Sequence, residues 1–238
     1  MGSALAKGLL RSGVKKNTLA LSDTERGNAH AVKNADIVFI AVKPRVVGEV
    51  LGGIAGVSKE QAIVSLAAGI SLRELQHSFG RKNGIARIMP NMPVSVGQGV
   101  IGFYKGTLSA QDTKNIRTLL EGLGIVIEVT NEKSLDVFTA ISGSGPAVAA
   151  YCIEALAMSA KKLGIEEDTA RAAAFGVFAG TSAYLAESKL SPAELMKSVA
   201  TKGGVTETIL KSFQTEQVGK RIEKGIQAGF AKVKKIKA

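Results

Sequence analysis

The stretch DIVFIAV, residues 36–42, decides the fold of this chain. It is an unbroken apolar run, which is typical of a strand buried on both faces of a sheet. Further strands are predicted at residues 17–21, 62–66, 84–89, 98–104 and 124–129. Helices are predicted at residues 3–12, 24–34, 45–53, 71–79 and 110–122. This alternation predicts an α/β domain with a doubly wound, mostly parallel sheet.

The second part of the chain is predicted to be all-α. From Ser134 onward its helical runs are rich in small residues: Ala147, Ala149, Ala150, Ala155, Ala157, Ala170, Ala172, Ala173, Ala174, Gly176 and Ala179. Small residues on all sides let neighbouring helices approach closely, and a chain of this size has too little interior to bury several such helices. We therefore expect a dimerisation domain over residues 132–238, after a first domain over residues 1–131.

Composition narrows the function classes. The net charge is +11, but the basic residues are scattered and no aromatic residues are interleaved with them, so nucleic-acid binding is not expected. The basic surface favours an anionic substrate or a phosphorylated cofactor instead. The single cysteine, Cys152, cannot form an internal disulfide, which indicates a cytoplasmic protein. The apolar runs are interrupted well before the length of a membrane span.

Small residues follow two of the predicted strands, where ligands of α/β sheets bind. They are Ala41-Val42-Lys43-Pro44 after the strand at 36–42, and Ala67-Ala68-Gly69 after the strand at 62–66. They would let the backbone approach a flat ligand such as a nicotinamide dinucleotide. Asn91 stands between two prolines, which predicts a rigid turn that holds its amide in place. A proline after a strand is also an ordinary stop signal.

Two segments of the second domain are candidates for binding an acid. The sequence PAELMKSVATKGGVTETILKSF, residues 192–213, predicts a helix, a turn at Gly203-Gly204 and a helix begun by Thr206. Amides at the start of a helix can bind a carboxylate, although an ordinary loop between packed helices has the same pattern. The second segment, SGSGPA at residues 142–147, is predicted to open a long helix whose first turn and hydroxyls face a ligand cleft, with a simple hinge as the alternative.

Taken together, the chain resembles the pyrroline-5-carboxylate reductase family over residues 1–230. The matching segments are MGSALAKGLL, ADIVFIAVKP, SLAAGIS, RIMPNMPVSVGQG, DVFTAISGSGPA and PAELMKSVATKGGVTETIL. The resemblance implies a Rossmann domain followed by a helical dimerisation domain. It also implies NAD(P)H-dependent reduction of 1-pyrroline-5-carboxylate to L-proline, the last step of proline biosynthesis. Because a protonated cyclic imine is already an electrophile, positioning is the main requirement.

The resemblance also implies roles for individual residues. The amides around Gly203, Gly204 and Val205 would hold the substrate carboxylate, and Thr206 would be the catalytic residue, bonded to the ring nitrogen. Ser144 and Pro146 would line the cleft. The implied cofactor-binding residues are Met1, Gly2, Ser22, Arg26, Ala41, Val42, Lys43, Pro44, Ala67, Ala68, Gly69 and Asn91. No metal is expected.

The chain departs from the family pattern seriously in two places, and slightly at Lys202–Thr206, where the family usually has Pro at the first position and Ala or Thr at the fourth. Met1-Gly2 matches only the end of the family's glycine-rich fingerprint, so we expect that the first strand and two glycines are missing from the chain as given. Between Asp23 and Ala35 one helix replaces the usual strand and helix. There Asp23 favours NAD, whereas Ser22 and Arg26 favour the 2′-phosphate of NADP. NADP is the predicted cofactor and NAD the alternative.

Two other functions stay open. The first is a non-catalytic dimeric relative with an incomplete dinucleotide-binding domain, which the missing strand favours. The second is a dehydrogenase for another small acid, which would need a lysine or histidine base on the helical domain. Both histidines, His30 and His77, lie in predicted helices of the first domain.

Overall fold

The fold is described from a computed structural model that describes residues 1–22, 27–54, 60–79 and 83–236, without the side chains of Lys234 and Ile236. The residues divide into two compact units. The first comprises residues 1–146 together with the end of the last helix from Gln227 onward, and the second comprises Ala147–Ile226. Each unit is described by itself below.

The first unit is built around one five-stranded sheet. The strands are β1 (Ile37–Ile40), β2 (Ala62–Ser65), β3 (Ile85–Met89), β4 (Gly99–Tyr104) and β5 (Gly124–Glu128). They lie side by side in the order β1-β2-β3-β4-β5, and all neighbours are parallel except the antiparallel pair β3 and β4. The predicted mostly parallel sheet is therefore confirmed, although the strand order does not reverse within the described residues.

Helices cover both faces of this sheet. They are α1 (Gly2–Arg11), α2 (Asn28–Lys33), α3 (Val47–Ile54), α4 (Leu72–Phe79), α5 (Ala110–Glu121) and α6 (Glu132–Phe138). Alternate residues of β2 point to opposite faces, as the pleat requires. Val64 belongs to the core shared with α1 and α5, whereas Ile63 belongs to the core shared with α3 and α4. This double covering explains why β2 and β3 are buried along their whole length.

Gly102 lets α6 lie close against β4. A Cβ atom at this position would come within 2.8 Å of the Phe138 ring and 3.1 Å of Leu135, both on α6. Any larger side chain would push α6 off the sheet.

The prediction of a strand at residues 17–21 is wrong. The structure has a short 3₁₀ helix at Lys16–Thr18 instead, and residues 19–22 form no strand. A strand needs a neighbour to take its backbone hydrogen bonds. Here the bonds are closed locally, because the Thr18 amide donates to the Lys15 carbonyl at 3.0 Å and the Leu19 amide to that of Lys16 at 3.3 Å. The helix predicted at 24–34 begins only at Asn28, and residues 23–26 lie outside the described residues.

The second part of the chain is helical, as predicted. Its helices are α7 (Gly145–Lys162), α8 (Glu167–Ser188), α9 (Pro192–Val199), α10 (Val205–Thr215) and α11 (Val218–Ile236). Large apolar side chains of α7 and α8 are exposed, among them Tyr151, Phe175, Val177 and Tyr184. The expected small residues line these helices, but only Ala157, Ala170 and Ala174 among the residues of α7 and α8 are buried.

One helical stretch, Glu132–Lys162, is long and apolar enough to cross a membrane by length and composition alone. Sequence analysis missed it, because Gly143, Gly145 and Pro146 interrupt the apolar run without ending the helix. Core helices of water-soluble proteins meet the same criterion.

Candidate active site

The first turn of α1 lies at the carboxyl edge of the sheet. A Cβ on Gly2 would lie 3.3 Å from the Cβ of Ala41, directly after β1. Among the described residues no side chain caps the start of α1, and its first turn has no acidic residue. Unbonded amides and the positive end of the helix favour an anion here. The donor set at Met1 and Gly2 therefore fits the phosphates of a dinucleotide.

The segments after β1 and β2 leave the sheet at this same edge. The two strands are parallel, and Ile40 is paired with Ser65, so Ala41–Pro44 and Ala67–Gly69 begin within one residue of each other in the register. Val42 and Pro44 are half-buried, whereas Lys43 is exposed. Ala68 and Gly69 are half-buried, and Gly69 has a φ of 83°, which only glycine adopts readily. The structure thus brings together the small residues that the sequence singled out.

Ala67 differs from its neighbours because its polar backbone groups already have partners. Its amide donates to the Ser65 hydroxyl at 3.3 Å, and its carbonyl accepts from Nη2 of Arg87 at 3.4 Å. Ala67 can therefore give a ligand close approach, while its backbone hydrogen bonds stay within the protein.

The residues proposed to select the cofactor are only partly described. Ser22 is exposed, and its hydroxyl donates to Oδ1 of Asn28 at 2.9 Å. Arg26 and Asp23 lie outside the described residues.

Asn91 is buried rather than presented to the edge. Its Nδ2 donates to the Ser142 carbonyl at 3.1 Å, and its Oδ1 accepts from the Val100 amide at 2.9 Å. Its side chain therefore joins three segments of the first unit: the turn after β3, the start of β4 and the segment after α6.

A buried ion pair beside Asn91 escaped the sequence analysis. Nη1 of Arg87, on β3, lies 2.6 Å from Oε1 of Glu132, the first residue of α6. The same oxygen accepts the Leu72 amide at 2.7 Å. A charged residue inside an otherwise apolar strand was the available signal, because a buried charge needs a partner.

The prediction that SGSGPA opens a long helix is confirmed, because α7 begins at Gly145 within this segment. It is not an isolated start, however, because α6 precedes it and Thr139–Gly143 form a π-helical segment between α6 and α7. Pro146 therefore lies inside a helical stretch, where its missing N–H disturbs the regular bonding and favours such a segment. The Ser142 hydroxyl donates to the Phe138 carbonyl at 2.9 Å, and the Ser144 hydroxyl donates to the Thr139 carbonyl at 3.5 Å. Ser144 is exposed and Pro146 half-buried.

The helix, glycine turn and helix predicted at 192–213 are present in the second unit. Gly203 has a φ of 76°, and Gly204 is the N-cap of α10. The predicted second helix begins at Val205, one residue before Thr206. A Cβ on Gly204 would lie 2.5 Å from Oγ1 and 3.0 Å from the carbonyl oxygen of Thr201, so the turn requires glycine at this position too.

Two of the three amides predicted to hold a carboxylate have partners within the protein. The Gly203 amide donates to Oε2 of Glu207 at 2.7 Å, and the Gly204 amide donates to the Thr201 carbonyl at 2.9 Å. No partner for the Val205 amide is found among the described residues. The Thr206 hydroxyl also has none among them, whereas the Thr208 hydroxyl donates to the Gly204 carbonyl at 3.1 Å.

Glu207 is a feature of this turn that the sequence analysis missed. The hydrogen bond from the Gly203 amide, followed by that from Lys211, holds the pKa of its carboxyl below the ordinary value. It lies at the third position of α10, where a glutamate commonly reaches back to the start of its own helix. That spacing was the available signal.

The described residues contain no cluster of three or more histidine, cysteine, aspartate or glutamate side chains suited to a metal ion. Ser144 and Pro146 belong to the first unit, and Gly203, Gly204, Val205 and Thr206 belong to the second.

Comparison with known proteins identifies the family. A family model for pyrroline-5-carboxylate reductase dimerisation matches residues 132–236, and one for NADP oxidoreductase, coenzyme F420-dependent, matches residues 20–69. The pyrroline-5-carboxylate reductase of Pseudomonas aeruginosa is 35% identical, over 87% of this chain and 76% of its own length. Pyrroline-5-carboxylate reductase 2 of Bacillus subtilis is 33% identical, over 90% of this chain and 84% of its own.

The solved structures agree with this assignment. The crystal structure of Plasmodium falciparum pyrroline carboxylate reductase with NADP bound has a TM-score of 0.90 and 26% identity, and the match covers 100% of this chain and 95% of that one. The sheet unit, the helical part and the glycine turn are thus features of one known kind of protein, and the chain belongs to the pyrroline-5-carboxylate reductase family.

Proposed function

We propose that this protein reduces 1-pyrroline-5-carboxylate to L-proline with NAD(P)H. The observation that carries the proposal is the turn at the start of α10, which the family resemblance assigns to the substrate. It offers the Val205 amide and the Thr206 hydroxyl, neither of which has a partner among the described residues. An amide at the positive end of a helix suits a carboxylate, and a hydroxyl suits a ring nitrogen.

The residues of this turn would position the substrate rather than activate it. The Val205 amide would hold the substrate carboxylate, and the glycines Gly203 and Gly204 would let the ring approach the backbone. The Thr206 hydroxyl would hydrogen-bond the ring nitrogen, which receives the electron pair of the C=N bond when hydride adds to the carbon of the protonated imine. Ser144 and Pro146 are proposed as further residues that line the substrate cleft.

The cofactor would lie at the carboxyl edge of the sheet. When bound, the reduced nicotinamide supplies the hydride that adds to the imine carbon. Met1 and Gly2 would face its phosphates, while Ala41–Pro44, Ala68 and Gly69 leave room for its flat parts. We propose NADP over NAD, on the positive net charge of +11 and on the NADP found in the Plasmodium falciparum relative. Ser22 and Arg26 are proposed to face the 2′-phosphate.

We propose a cytoplasmic homodimer formed through the helical domain. Exposed apolar side chains on α7 and α8, including Phe175 and Tyr184, would be covered by a second copy, which accounts for the apolar stretch 132–162 without a membrane. We place the domain boundary at residue 131, and the match of the dimerisation family model from residue 132 supports this position.

The test is the rate of NADPH oxidation with 1-pyrroline-5-carboxylate, measured on the gene product with any residues encoded before Met1. We expect proline as the product and a higher kcat/KM with NADPH than with NADH. A folded dimer that binds NADPH but does not oxidise it with this substrate would contradict the proposal and favour a non-catalytic relative.

Thr206 has a matched control two residues away. Thr206→Val keeps the shape of the side chain and removes the hydroxyl, and we expect kcat/KM to fall about 100-fold. Thr208→Val removes a hydroxyl that donates only to the Gly204 carbonyl, and we expect no more than about a twofold change. Equal effects of the two substitutions would refute a role for Thr206 at the ring nitrogen.

A further inference from the structure

The carbonyl of Ser142 lacks the partner that a regular helix would provide. In an α-helix it would accept the amide of residue 146, but that residue is Pro146, which has no N–H. Ser142 is only 8% exposed, so water does not replace the missing donor freely. A buried carbonyl without a donor is unfavourable. The helical stretch therefore needs a donor from elsewhere in the chain at this position.

Asn91 supplies that donor. Its Nδ2 lies 3.1 Å from the Ser142 carbonyl oxygen, across 51 residues of sequence. The other end of the same amide is bonded as well, because Oδ1 accepts the Val100 amide of β4 at 2.9 Å. Asn91 is 6% exposed. Its side chain is thus a buried bridge between the sheet and the π-helical segment, bonded at both ends.

The backbone around Asn91 is itself tightly held. Pro90 and Pro93 flank the residue, and the 3₁₀ helix that it caps, Met92–Val96, packs against α1. A Cβ on Gly8 of α1 would lie 2.2 Å from the Val94 carbonyl oxygen, so the two segments are in close backbone contact. The Asn91 amide therefore projects from a fixed point, and it can fix the position of whatever it bonds.

We propose that Asn91 is a positioning residue for the reduction. It holds the π-helical segment, Thr139–Gly143, and thereby the neighbouring Ser144 and Pro146, in the arrangement that the substrate needs. This role replaces direct cofactor binding by the Asn91 side chain, whose nitrogen and oxygen are both bonded within the protein. The inference rests on the proposed function, because that function makes Ser144 and Pro146 cleft residues.

Asn83 provides a matched control for the test. It is also buried, and it lies two residues before Ile85, the first residue of β3. Its Nδ2 donates to the Gln61 carbonyl at 2.9 Å. Asn91→Ala and Asn83→Ala each delete a buried amide that donates to a distant backbone carbonyl, so the control also removes one such long-range hydrogen bond. We expect Asn91→Ala to lower kcat/KM for 1-pyrroline-5-carboxylate by about 10- to 100-fold, since small misplacements have effects of this size. Asn83→Ala should stay within about twofold of the wild type.

Asn91→Asp separates the two hydrogen bonds. It keeps an acceptor for the Val100 amide but puts an oxygen in place of the donor to the Ser142 carbonyl. We expect it to be impaired as strongly as Asn91→Ala, with an unchanged Kd for NADPH. Hydrogen exchange gives a readout that does not depend on activity: in Asn91→Asp exchange should quicken in the peptide that contains residues 142–147, while Val100 stays protected.

Three results would overturn the proposal. They are wild-type kcat/KM in Asn91→Asp, equal kcat/KM in Asn91→Ala and Asn83→Ala, and a Kd for NADPH raised in step with the loss of rate, which would make Asn91 a cofactor ligand. A wild-type enzyme without reductase activity would instead refute the proposed function itself, so the two failures are distinguishable.

Discussion

Removing Glu132 should destabilise the protein far more than removing its partner Arg87. The Arg87 side chain is 2% exposed and that of Glu132 is 28% exposed. In Glu132→Ala the guanidinium stays buried, with the Ala67 carbonyl at 3.4 Å as its remaining acceptor and with Nε already unpartnered among the described residues. Breaking a buried pair in this way costs about 3–5 kcal/mol. Loss of the acceptor for the Leu72 amide adds about 1 kcal/mol.

Arg87→Met leaves a less unfavourable site. Glu132 keeps its hydrogen bond from the Leu72 amide and remains partly in contact with water. The flexible methionine side chain fills much of the space of the arginine stem, so we expect a loss of about 1–2 kcal/mol. In the double substitution no charge is left buried. The double variant should therefore be more stable than Glu132→Ala alone, whereas simple addition of the two losses would make it less stable.

The assay is urea unfolding followed by far-ultraviolet circular dichroism, at one protein concentration for all variants because an oligomer's midpoint depends on concentration. Adding salt should change the ranking little, because buried pairs are weakly screened. If Glu132→Ala were no less stable than Arg87→Met, or if the two effects simply added, the reasoning from burial would be refuted.

Three further predictions concern the helical part. Gly204→Ala should lower the free energy of unfolding by about 1–3 kcal/mol, because the new Cβ would collide with Thr201. Adding Thr201→Ala to this variant should restore part of the lost melting temperature. A wild-type melting temperature in Gly204→Ala would contradict the contact. The pKa of Glu207 in the folded protein lies below the ordinary 4.5, so its carboxylate stabilises the fold above that value and ceases to do so as the pH falls through the folded pKa. The difference in unfolding free energy between wild type and Glu207→Gln should therefore shrink from pH 6 to pH 3. A constant difference would show that the ionised carboxylate does not stabilise the fold. Phe175, 65% exposed on α8, should lie in the dimer interface; Phe175→Lys should yield monomer by light scattering, and an unchanged molar mass would place the interface elsewhere.

Two strands that were predicted well, β1 and β2, have apolar runs that pack against the cores on both faces of the sheet. Residues 36–42 contain β1 and residues 62–66 contain β2. Helices cover both sides of the sheet at these two strands, and both faces therefore carry apolar residues. The strand predicted at 17–21 failed because local pattern does not show whether a neighbouring strand exists. The presence of a neighbouring strand depends on the tertiary structure. At Lys16–Thr18 the backbone amides instead form hydrogen bonds within a 3₁₀ helix.

The candidate site was predicted only in part, because some of its features are local in sequence and others depend on distant residues. The turn at Gly203 and Gly204 is local, so its glycines and the following helix were found from the sequence. The π-helical segment depends on a distant donor, Asn91, and the sequence alone shows only a proline near two glycines. The start of α7 at Gly145 was therefore predicted, whereas the π-helical segment before it was not, because no nearby residue indicates the buried Asn91 amide.

The two long-range anchors described above also bear on how the chain is made. Arg87 and Asn91 are held by residues that follow them by 45 and 51 positions. At synthesis rates of roughly 5–20 residues per second, β3 leaves the ribosome roughly 2–9 s before Glu132 does. During that interval a buried arginine has no carboxylate and the sheet lacks α6, so an early, stable sheet is not expected. A fragment ending at residue 131 would stay in that condition permanently, although it contains all five strands of the sheet.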